Sequence, residues 1–452
     1  MKFCLRERRS VVTTHNKIYR QSKIPLFFIL VAFIVTFFIN GDFGIKYVYN
    51  YFILSLLVIG EVLLQRKIYV SKITLKYFFL VTIVTFFSVL PNAYLDLEAQ
   101  NYTISILIFF GCYLLANPSA KEVKCSNNIL LVAAIVFATY IIVIRIFPFI
   151  FWDNIYPHLS QFSQAHAYKF MKLQNYGVFI GGSAIFADFV MALALFVCLG
   201  DYFSKSVRSS NNTKYIVVTL FLLAAIVVEN RRGELIATIT SVLAMYFFSV
   251  RNVSLIKLNS KKIVKFFAYF VLVVFVVAIM FGLGLLDRYI ASFIDIGGGS
   301  IEGFDKTGNG RIRLWLTAVN MFEDSSKLFG IGWNQFRAKN VLSGMEGMNV
   351  HNDYLQWLCE TGIVGFTLIF GITVNIWIEN IKRCKYVFNV FNDVNSESKY
   401  YAVISFGVQT FLVIMHFVDP SFYKLLFWPF YSYSMIMYRM SLISEKMQRL
   451  SA

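Results

Sequence analysis

Twelve long apolar runs follow one another along this sequence, and they constrain its fold more than any other feature. The runs cover residues 25–39, 47–64, 77–90, 102–116, 129–147, 183–199, 215–228, 233–250, 264–286, 362–378, 401–417 and 421–440. Each is long enough, or nearly long enough, to cross a bilayer as a helix. Lipid offers the backbone no hydrogen-bond partners and the alternating pattern of strands is absent, so helices are the spanning element. The sequence therefore predicts an all-α integral membrane protein with about twelve transmembrane helices, in a range of roughly 10–12.

Basic residues indicate on which side of the membrane each connecting segment lies. Lys and Arg cluster after alternate runs, in residues 66–76, 121–124, 205–214, 251–265 and 382–385. Because loops rich in these cations stay in the cytoplasm, both termini are expected there, with the chain in the cell inner membrane. The net charge of +17 is then a topology signal, since the basic clusters alternate with apolar runs and form no continuous nucleic-acid surface. No nucleic-acid partner is expected.

The same pattern divides the chain into four regions. Residues 1–24 form a basic cytoplasmic tail, and residues 25–286 are expected to contain about nine transmembrane helices. Residues 287–361 are the longest polar insertion, and a loop of this length predicts short helices and functional residues outside the cytoplasm. Residues 362–452 contain the remaining transmembrane helices and a short cytoplasmic tail.

Two arginines, Arg231 and Arg232, stand between two apolar runs on the predicted outer side, where cations are disfavoured. One interpretation is that they reach toward lipid headgroups or pair with Glu229 or Glu234. The other is that a guanidinium group binds an anionic ligand, because it matches phosphate oxygens with two hydrogen bonds and keeps its charge. The turn by itself leaves both open.

A helical pattern begins within the long polar insertion at Gly310 and Arg311. Trp315 is four residues after Arg311, so the two share one helix face while Arg313 points elsewhere. An arginine at a helix N-terminus is unfavourable for the dipole unless an anion joins it. This element therefore predicts either a phosphate-binding helix start or an exposed amphipathic helix with incidental arginines.

His351 lies at the end of the same insertion, next to a predicted membrane helix. An isolated histidine is most often structural, but a neutral imidazole is also the side chain best suited to accept a proton from a sugar hydroxyl near neutral pH. Asn352, Asp353 and Glu360 are the nearby candidates to orient it.

Taken in sequence, these motifs resemble the O-antigen ligase and polymerase family of polytopic membrane glycosyltransferases, which have a GT-C-like fold. The resemblance rests on Arg232-Gly233 before an outer-facing span, on the Gly-Arg-x-x-x-Trp motif of residues 310–315 followed by Gly-Ile-Gly at 330–332, and on His-Asn-x-Tyr-Leu at 351–355 with Glu-x-Gly-x-x-Gly at 360–365. It spans roughly residues 215–378, and upstream helices match in character only.

The resemblance implies a role for each motif residue. Arg232 and Arg311 would bind the pyrophosphate of a polyprenyl-linked donor, and His351 would activate the acceptor hydroxyl. Arg231 stands where relatives commonly have Ser, so which of the two neighbouring arginines faces the donor stays open. The complete predicted site consists of the catalytic residues His351, Arg311 and Arg232, the donor-binding residues Arg231, Arg232, Arg311 and Arg313, and the supporting residues Asn352, Asp353, Tyr354, Glu360 and Trp315.

The resulting hypothesis is transfer of a polyprenyl-pyrophosphate-linked oligosaccharide to a sugar hydroxyl. No metal or cofactor is expected, because no Asp-x-Asp pair, P-loop or dinucleotide motif is present. Polymerisation of surface-polysaccharide repeat units is favoured over transfer to a lipid A core sugar or to a protein hydroxyl, and a flippase and a chain-length regulator are further expected partners besides membrane lipids. The alternative of another class, a flippase or secondary transporter, would place ionisable residues at mid-membrane in both halves, and few lie inside the runs.

Overall fold

The computed structural model describes residues 72–89, 118–159, 161–172, 176, 185–204, 213–229, 231–249, 310–342, 345–390, 397–423 and 427–451. These parts of the chain are mostly α-helical, and the β-bridge between Ser326 and Gly330 belongs to no strand among them. The predicted all-α class therefore agrees with the described residues. The predicted tail of residues 1–24 and the runs at 25–39, 47–64, 102–116 and 264–286 lie outside them.

Every apolar run that lies within the described residues coincides with a helix over most of its length, although several helices extend well beyond their runs. The described helices are α1 (Lys72–Val89), α2 (Ala120–Ile146), α3 (Pro148–Asn154), α4 (Gln161–Lys172), α5 (Ile185–Ser204), α6 (Thr213–Glu229), α7 (Arg232–Ser249), α8 (Arg311–Glu323), α9 (Gln335–Lys339), α10 (Asp353–Val390), α11 (Glu397–Val418) and α12 (Phe427–Ser451). Short 3₁₀ turns cover Tyr156–His158 and Ser421–Tyr423.

Four of the described helices are long and apolar enough to span a membrane, which supports an integral membrane protein. They are Ala120–Ile146, Ala187–Ser204, Asp353–Val390 and Glu397–Val418. The finer prediction of about twelve spans in a GT-C-like arrangement stays a prediction.

Helix α11 occupies the centre of the described bundle. It packs against α5, α7, α10 and α12, and residues on every side of it are buried, from Ser398 through Met415. A helix that is apolar and buried all round is a core helix rather than a surface one. The end of α11 is therefore held in place, and side chains of neighbouring helices can form hydrogen bonds with it.

Polar side chains connect the helices inside this core. Gln409 of α11 donates to the Tyr77 hydroxyl of α1 at 2.5 Å and to Ser434 of α12 at 2.6 Å. Ser405 donates to Asn380 of α10 at 2.5 Å. Inside a membrane, where apolar contacts gain little over lipid, such bonds and close packing hold helices together.

Helix α10 is broken at Gly362, which has a φ of 64° and a ψ of −169°. The break leaves backbone groups without helical partners, and the chain at residues 327–332 supplies them. Ile363 and Val364 donate to the carbonyls of Lys327 and Leu328 at 2.9 and 3.2 Å. In the opposite direction, the backbone N–H groups of residues 331 and 332 donate to the carbonyls of residues 359 and 360 at 3.0 and 2.9 Å.

Two glycines make this joint possible. Gly362 and Gly330 both have positive φ, which only glycine adopts without strain. A Cβ on Gly362 would lie 2.4 Å from the Leu328 carbonyl oxygen, and one on Gly330 would lie 2.4 Å from that of Cys359. The Gly-Ile-Gly and Glu-x-Gly-x-x-Gly motifs are therefore the two halves of one backbone joint, which attaches the polar loop to the start of a membrane helix.

Candidate active site

His351 lies at the junction between the polar loop and α10. Its backbone is left-handed, with a φ of 57°, and 24% of its side chain is exposed. The ring Nδ1 is 3.4 Å from Oδ1 of Asp419, a buried residue directly after α11. This is an ion-pair distance, and Nδ1 makes no hydrogen bond among the described residues. The imidazole thus has one nitrogen directed at a buried carboxylate.

The side chain beside the His351 ring is that of Asp419, whereas the sequence pointed to Asn352, Asp353 or Glu360, which are nearer along the chain. The carboxylate beside the His351 ring does not come from Asp353 or Glu360, which bond elsewhere. Asn352 accepts a hydrogen bond from the backbone of Leu355 at 3.1 Å, so it caps the start of α10. The expectation that these neighbours orient His351 is therefore corrected, because helix geometry directs their side chains into other contacts.

Asp353 pairs instead with a second histidine, His416 of α11. The Oδ2 atom of Asp353 is 2.6 Å from the ring Nδ1 of His416, and both side chains are fully buried. The same oxygen accepts bonds from the Ser421 hydroxyl and the Phe422 backbone, each at 2.9 Å. On its other side, the imidazole Nε2 is 2.6 Å from the Tyr431 hydroxyl of α12.

The two histidine–aspartate pairs cross. His351 and Asp353 come from the start of α10, while His416 and Asp419 come from the end of α11, and each segment gives its histidine to the aspartate of the other. The buried pair is short and hydrogen-bonded, and the partly exposed pair is longer. The buried pair therefore fixes the turn that holds Asp419 beside His351.

Tyr354 and Glu360 join α10 to the elements around the two histidine–aspartate pairs. The Tyr354 hydroxyl donates to the carbonyl of Val413 at 2.9 Å, which joins α10 to α11. Glu360 is fully buried and accepts bonds from the backbones of Asn334 and Phe336 at 2.7 and 3.0 Å. It thereby satisfies the free N–H groups at the start of α9, a role in holding the loop rather than in contacting His351.

Helix α8 begins where the sequence predicts, at Arg311. Gly310 precedes it with a left-handed φ of 78°, and no side chain caps this end. Arg311 and Trp315 are both partly buried and lie four residues apart in this helix, whereas Arg313 is exposed. The first-turn N–H groups and the Arg311 guanidinium thus lie at the same helix end.

A small apolar core joins α8 to the neighbourhood of His351. Leu314 and Ala318 of α8 form one buried cluster with Val350 and Cys359. Val350 directly precedes His351 in the chain. The helix that starts with Arg311 is therefore packed against the segment that presents the imidazole.

Arg231 is enclosed by carboxylates. Its Nη2 is 2.9 Å from Glu234 and its Nε is 4.0 Å from Asp188, and only 14% of its side chain is exposed. Burial would lower the pKa of Arg231, but neighbouring carboxylates outweigh it and raise the pKa, Glu234 most, then Asp188, Asp419 and Glu229. Its charge is balanced inside the protein.

The Arg231–Arg232 turn lies close to the crossed pairs. Asp419 contributes to the electrostatic environment of Arg231. A Cβ on Gly233 would lie 2.9 Å from Cγ2 of Val418, the residue before Asp419, so α7 and α11 touch here. Arg232 is the first residue of α7 and is partly exposed. The structure thus brings the first and third sequence motifs together at the end of α11.

Sequence reasoning missed three residues of this region as functional candidates, Asp188, His416 and Asp419. Each is polar, buried and placed in or at the end of an apolar run. A charged residue in such a position is costly in a membrane protein unless it is paired, and that cost was the available signal.

Residues 217–370, a third of the chain, match a protein family described as O-antigen ligase. The matched region contains Arg232, Arg311 and His351. The match confirms the family resemblance read from the sequence motifs, and it supports glycan transfer of the O-antigen ligase or polymerase type. No curated protein matches the chain.

Proposed function

Residues 217–370 belong to the O-antigen ligase family, and we propose that this protein transfers a glycan from a polyprenyl-pyrophosphate donor to a sugar hydroxyl, without a metal, at the outer face of the cytoplasmic membrane. The observation that carries the proposal is the crossing of the histidine–aspartate pairs beside the Arg231–Arg232 turn. It combines a base, a carboxylate to orient it and a nearby cation at one end of a membrane bundle.

His351 is the general base in this proposal. Asp419 faces Nδ1, so the ring proton stays on that nitrogen and Nε2 keeps a free lone pair. Nε2 takes the proton of the acceptor hydroxyl as its oxygen attacks the anomeric carbon of the donor. The bond from that carbon to the pyrophosphate oxygen breaks, and polyprenyl pyrophosphate leaves with the bonding electrons. A positioned base of this kind contributes about 10²–10⁴-fold.

Arg232 and Arg311 are assigned to the leaving pyrophosphate. Arg311 begins a helix whose first N–H groups lack a side-chain cap, which suits an anion at that end. Arg232 follows Arg231, whose charge is already balanced by Glu234 and Asp188. Arg232 is also the arginine of the Arg-Gly motif that carries the family resemblance, so we assign donor binding to Arg232 and a structural role to Arg231. Each donor arginine would supply about 2–4 kcal/mol of transition-state stabilisation, by analogy with single oxyanion donors.

The finer assignment is polymerisation of surface-polysaccharide repeat units, with both termini in the cytoplasm and residues 287–361 as the outer catalytic loop. Arg313, which is exposed on another helix face, would contact the donor only at the edge of the site. A flippase would deliver the donor and a chain-length regulator would act on the product. Ligation to a lipid core or to a protein hydroxyl is the alternative within the family.

The test is complementation of a strain that lacks the gene. His351→Ala, Arg232→Ala and Arg311→Ala should insert normally and abolish long glycans, whereas Lys339→Ala, which removes an exposed cation of the same loop, should restore them. Loss of a polymerase leaves single repeat units on the final acceptor, and loss of a ligase leaves long chains on the polyprenyl carrier. Normal glycan profiles from the three variants would overturn the proposal.

A further inference from the structure

The turn formed by residues 326–330, here called the anchor turn, exposes two large apolar side chains. Gly330 donates to the Ser326 carbonyl at 2.7 Å, and Phe329 donates to the Ser326 hydroxyl at 3.3 Å, so the turn is closed by its own backbone. Leu328 is 56% exposed and Phe329 is 51% exposed. These side chains lie in the polar loop where it meets α10, and the proposed chemistry does not use them.

The anchor turn is attached to a membrane-spanning helix. Ile363 and Val364, the first residues of α10 after its break, donate to carbonyls of the turn region at 2.9 and 3.2 Å. One of these carbonyls belongs to Leu328 itself. The turn therefore sits at the level where the apolar part of α10 begins, and the joint fixes it there.

The exposed apolar surface continues from the turn onto the helices. Ile363, Val364 and Leu368 of α10 are 49%, 37% and 44% exposed. On the neighbouring α1, Phe86 is 57% exposed beside Phe87, whose ring would be 2.8 Å from a Cβ on Gly365. Because α10 is a candidate membrane span, lipid is the solvent that covers this surface.

We propose that Leu328 and Phe329 insert among the lipid chains of the leaflet on the loop side, as an extension of the lipid-facing surface of α10. The contact is apolar rather than electrostatic, because the ammonium group of Lys327, although exposed, is already hydrogen-bonded to the protein. It donates to the carbonyls of Phe322 and Glu323 at 3.2 and 2.6 Å, at the end of α8. Insertion is therefore independent of anionic lipid and of salt.

The consequence, which rests on the proposed function, concerns the donor. Lys327 links the anchor turn to the C-terminal end of α8, and Arg311 lies at the other end of that helix. A turn held in the lipid surface keeps α8 near the headgroups, where the pyrophosphate of a polyprenyl donor lies. The donor pyrophosphate and the helix that begins with Arg311 would then lie at a similar depth in the membrane.

The experiment measures depth without any substrate. Phe329 is replaced by 4-trifluoromethylphenylalanine in the full chain, reconstituted in nanodiscs of phosphatidylcholine, and the ¹⁹F signal is followed with a doxyl-labelled lipid or a water-soluble gadolinium chelate. Phe86 is the matched lipid-facing position. Glu346, an exposed acid on another turn of the same loop, is the matched aqueous position. The same probe at Leu328 repeats the test where the first protein reconstitutes poorly.

The expected result is severalfold stronger broadening by the doxyl lipid at position 329 than at position 346, with the reverse order for gadolinium, in both low and high salt. Equal gadolinium broadening at positions 329 and 346 would overturn the proposal, as would a lipid contact that disappears in high salt. Glycan transfer is not read out in this experiment, so the activity of the His351 variants tests the proposed function separately.

Discussion

Replacing Asp419 with Asn should slow glycan transfer without unfolding the protein. The carboxylate lies 3.4 Å from Nδ1 of His351, and in the proposed mechanism it keeps the ring proton on that nitrogen. An amide can present either its oxygen or its NH₂ group to the ring, so the productive tautomer is no longer imposed. The fold should hold because Arg231 keeps its closest partner, Glu234, at 2.9 Å.

The size of the effect follows from the geometry. Removing the aspartate charge in a buried serine-protease triad costs about 10⁴ in kcat. Here the pair is longer than a hydrogen bond and the imidazole is 24% exposed, so water can replace part of the interaction. We expect a loss of about 10²-fold in kcat, or ~2.7 kcal/mol. The KM for the donor should change little, because the donor arginines are untouched.

The assay is chain elongation by the purified protein in nanodiscs, with lipid-linked repeat units as substrate and single-turnover rates resolved by gel. Asp324→Asn is the matched control, since Asp324 is an exposed acid at the end of α8. A wild-type rate for the Asp419 variant would refute the assignment of this carboxylate, provided that His351→Ala is inactive. An equal loss in the control would show that the effect is not local.

Three further variants probe the framework. His416→Leu leaves the buried Asp353 without its histidine partner and should lower the free energy of unfolding by about 3 kcal/mol. The measurement is the thermal unfolding midpoint in detergent, which should fall and should partly recover when Asp353→Leu is added. Arg231→Gln should likewise reduce the folded yield by uncovering buried carboxylates, whereas Arg232→Gln should fold normally and lose transfer; equal folding with equal activity would contradict this division. Gly362→Ala must place a Cβ 2.4 Å from a loop carbonyl, so limited proteolysis should cut residues 310–342 faster than in the wild type.

Local patterns predicted the helices and the start of α8 because they depend on nearby residues. Apolar runs located the described long helices but not all of their ends, since α2, α10 and α12 extend well beyond their runs. Gly310 before Arg311 marked a helix start that the structure has. The start of α10 was harder. The apolar run begins at Gly362, but the helix already begins at Asp353, because Asn352 caps it and the loop satisfies the break.

The partner of His351 could not be read from the sequence, since pairing across the bundle depends on how helices pack. Asp353 is two residues from His351 and carries a carboxylate, so proximity along the chain favoured it. Helix geometry directs Asp353 into the core toward His416. The carboxylate beside His351 comes instead from Asp419, directly after α11. Proximity along the chain therefore pointed to the wrong carboxylate, in the wrong segment.

The two histidine–aspartate pairs also imply that the segment with His351 is held more firmly than α8, the helix that begins with Arg311. His351 is positioned through Asp353 and Asp419 against the end of α11, which is buried on every side among the described helices. Arg311 begins α8, which is held by the small core that it shares with Phe336, Val350 and Cys359 and by the hydrogen bonds of Lys327 at its other end. Because a helix fixed by fewer buried contacts opens at lower free energy, we expect movements that admit and release the proposed lipid-linked donor to fall on the Arg311 end of α8. The base can then stay in place while the donor-binding helix moves.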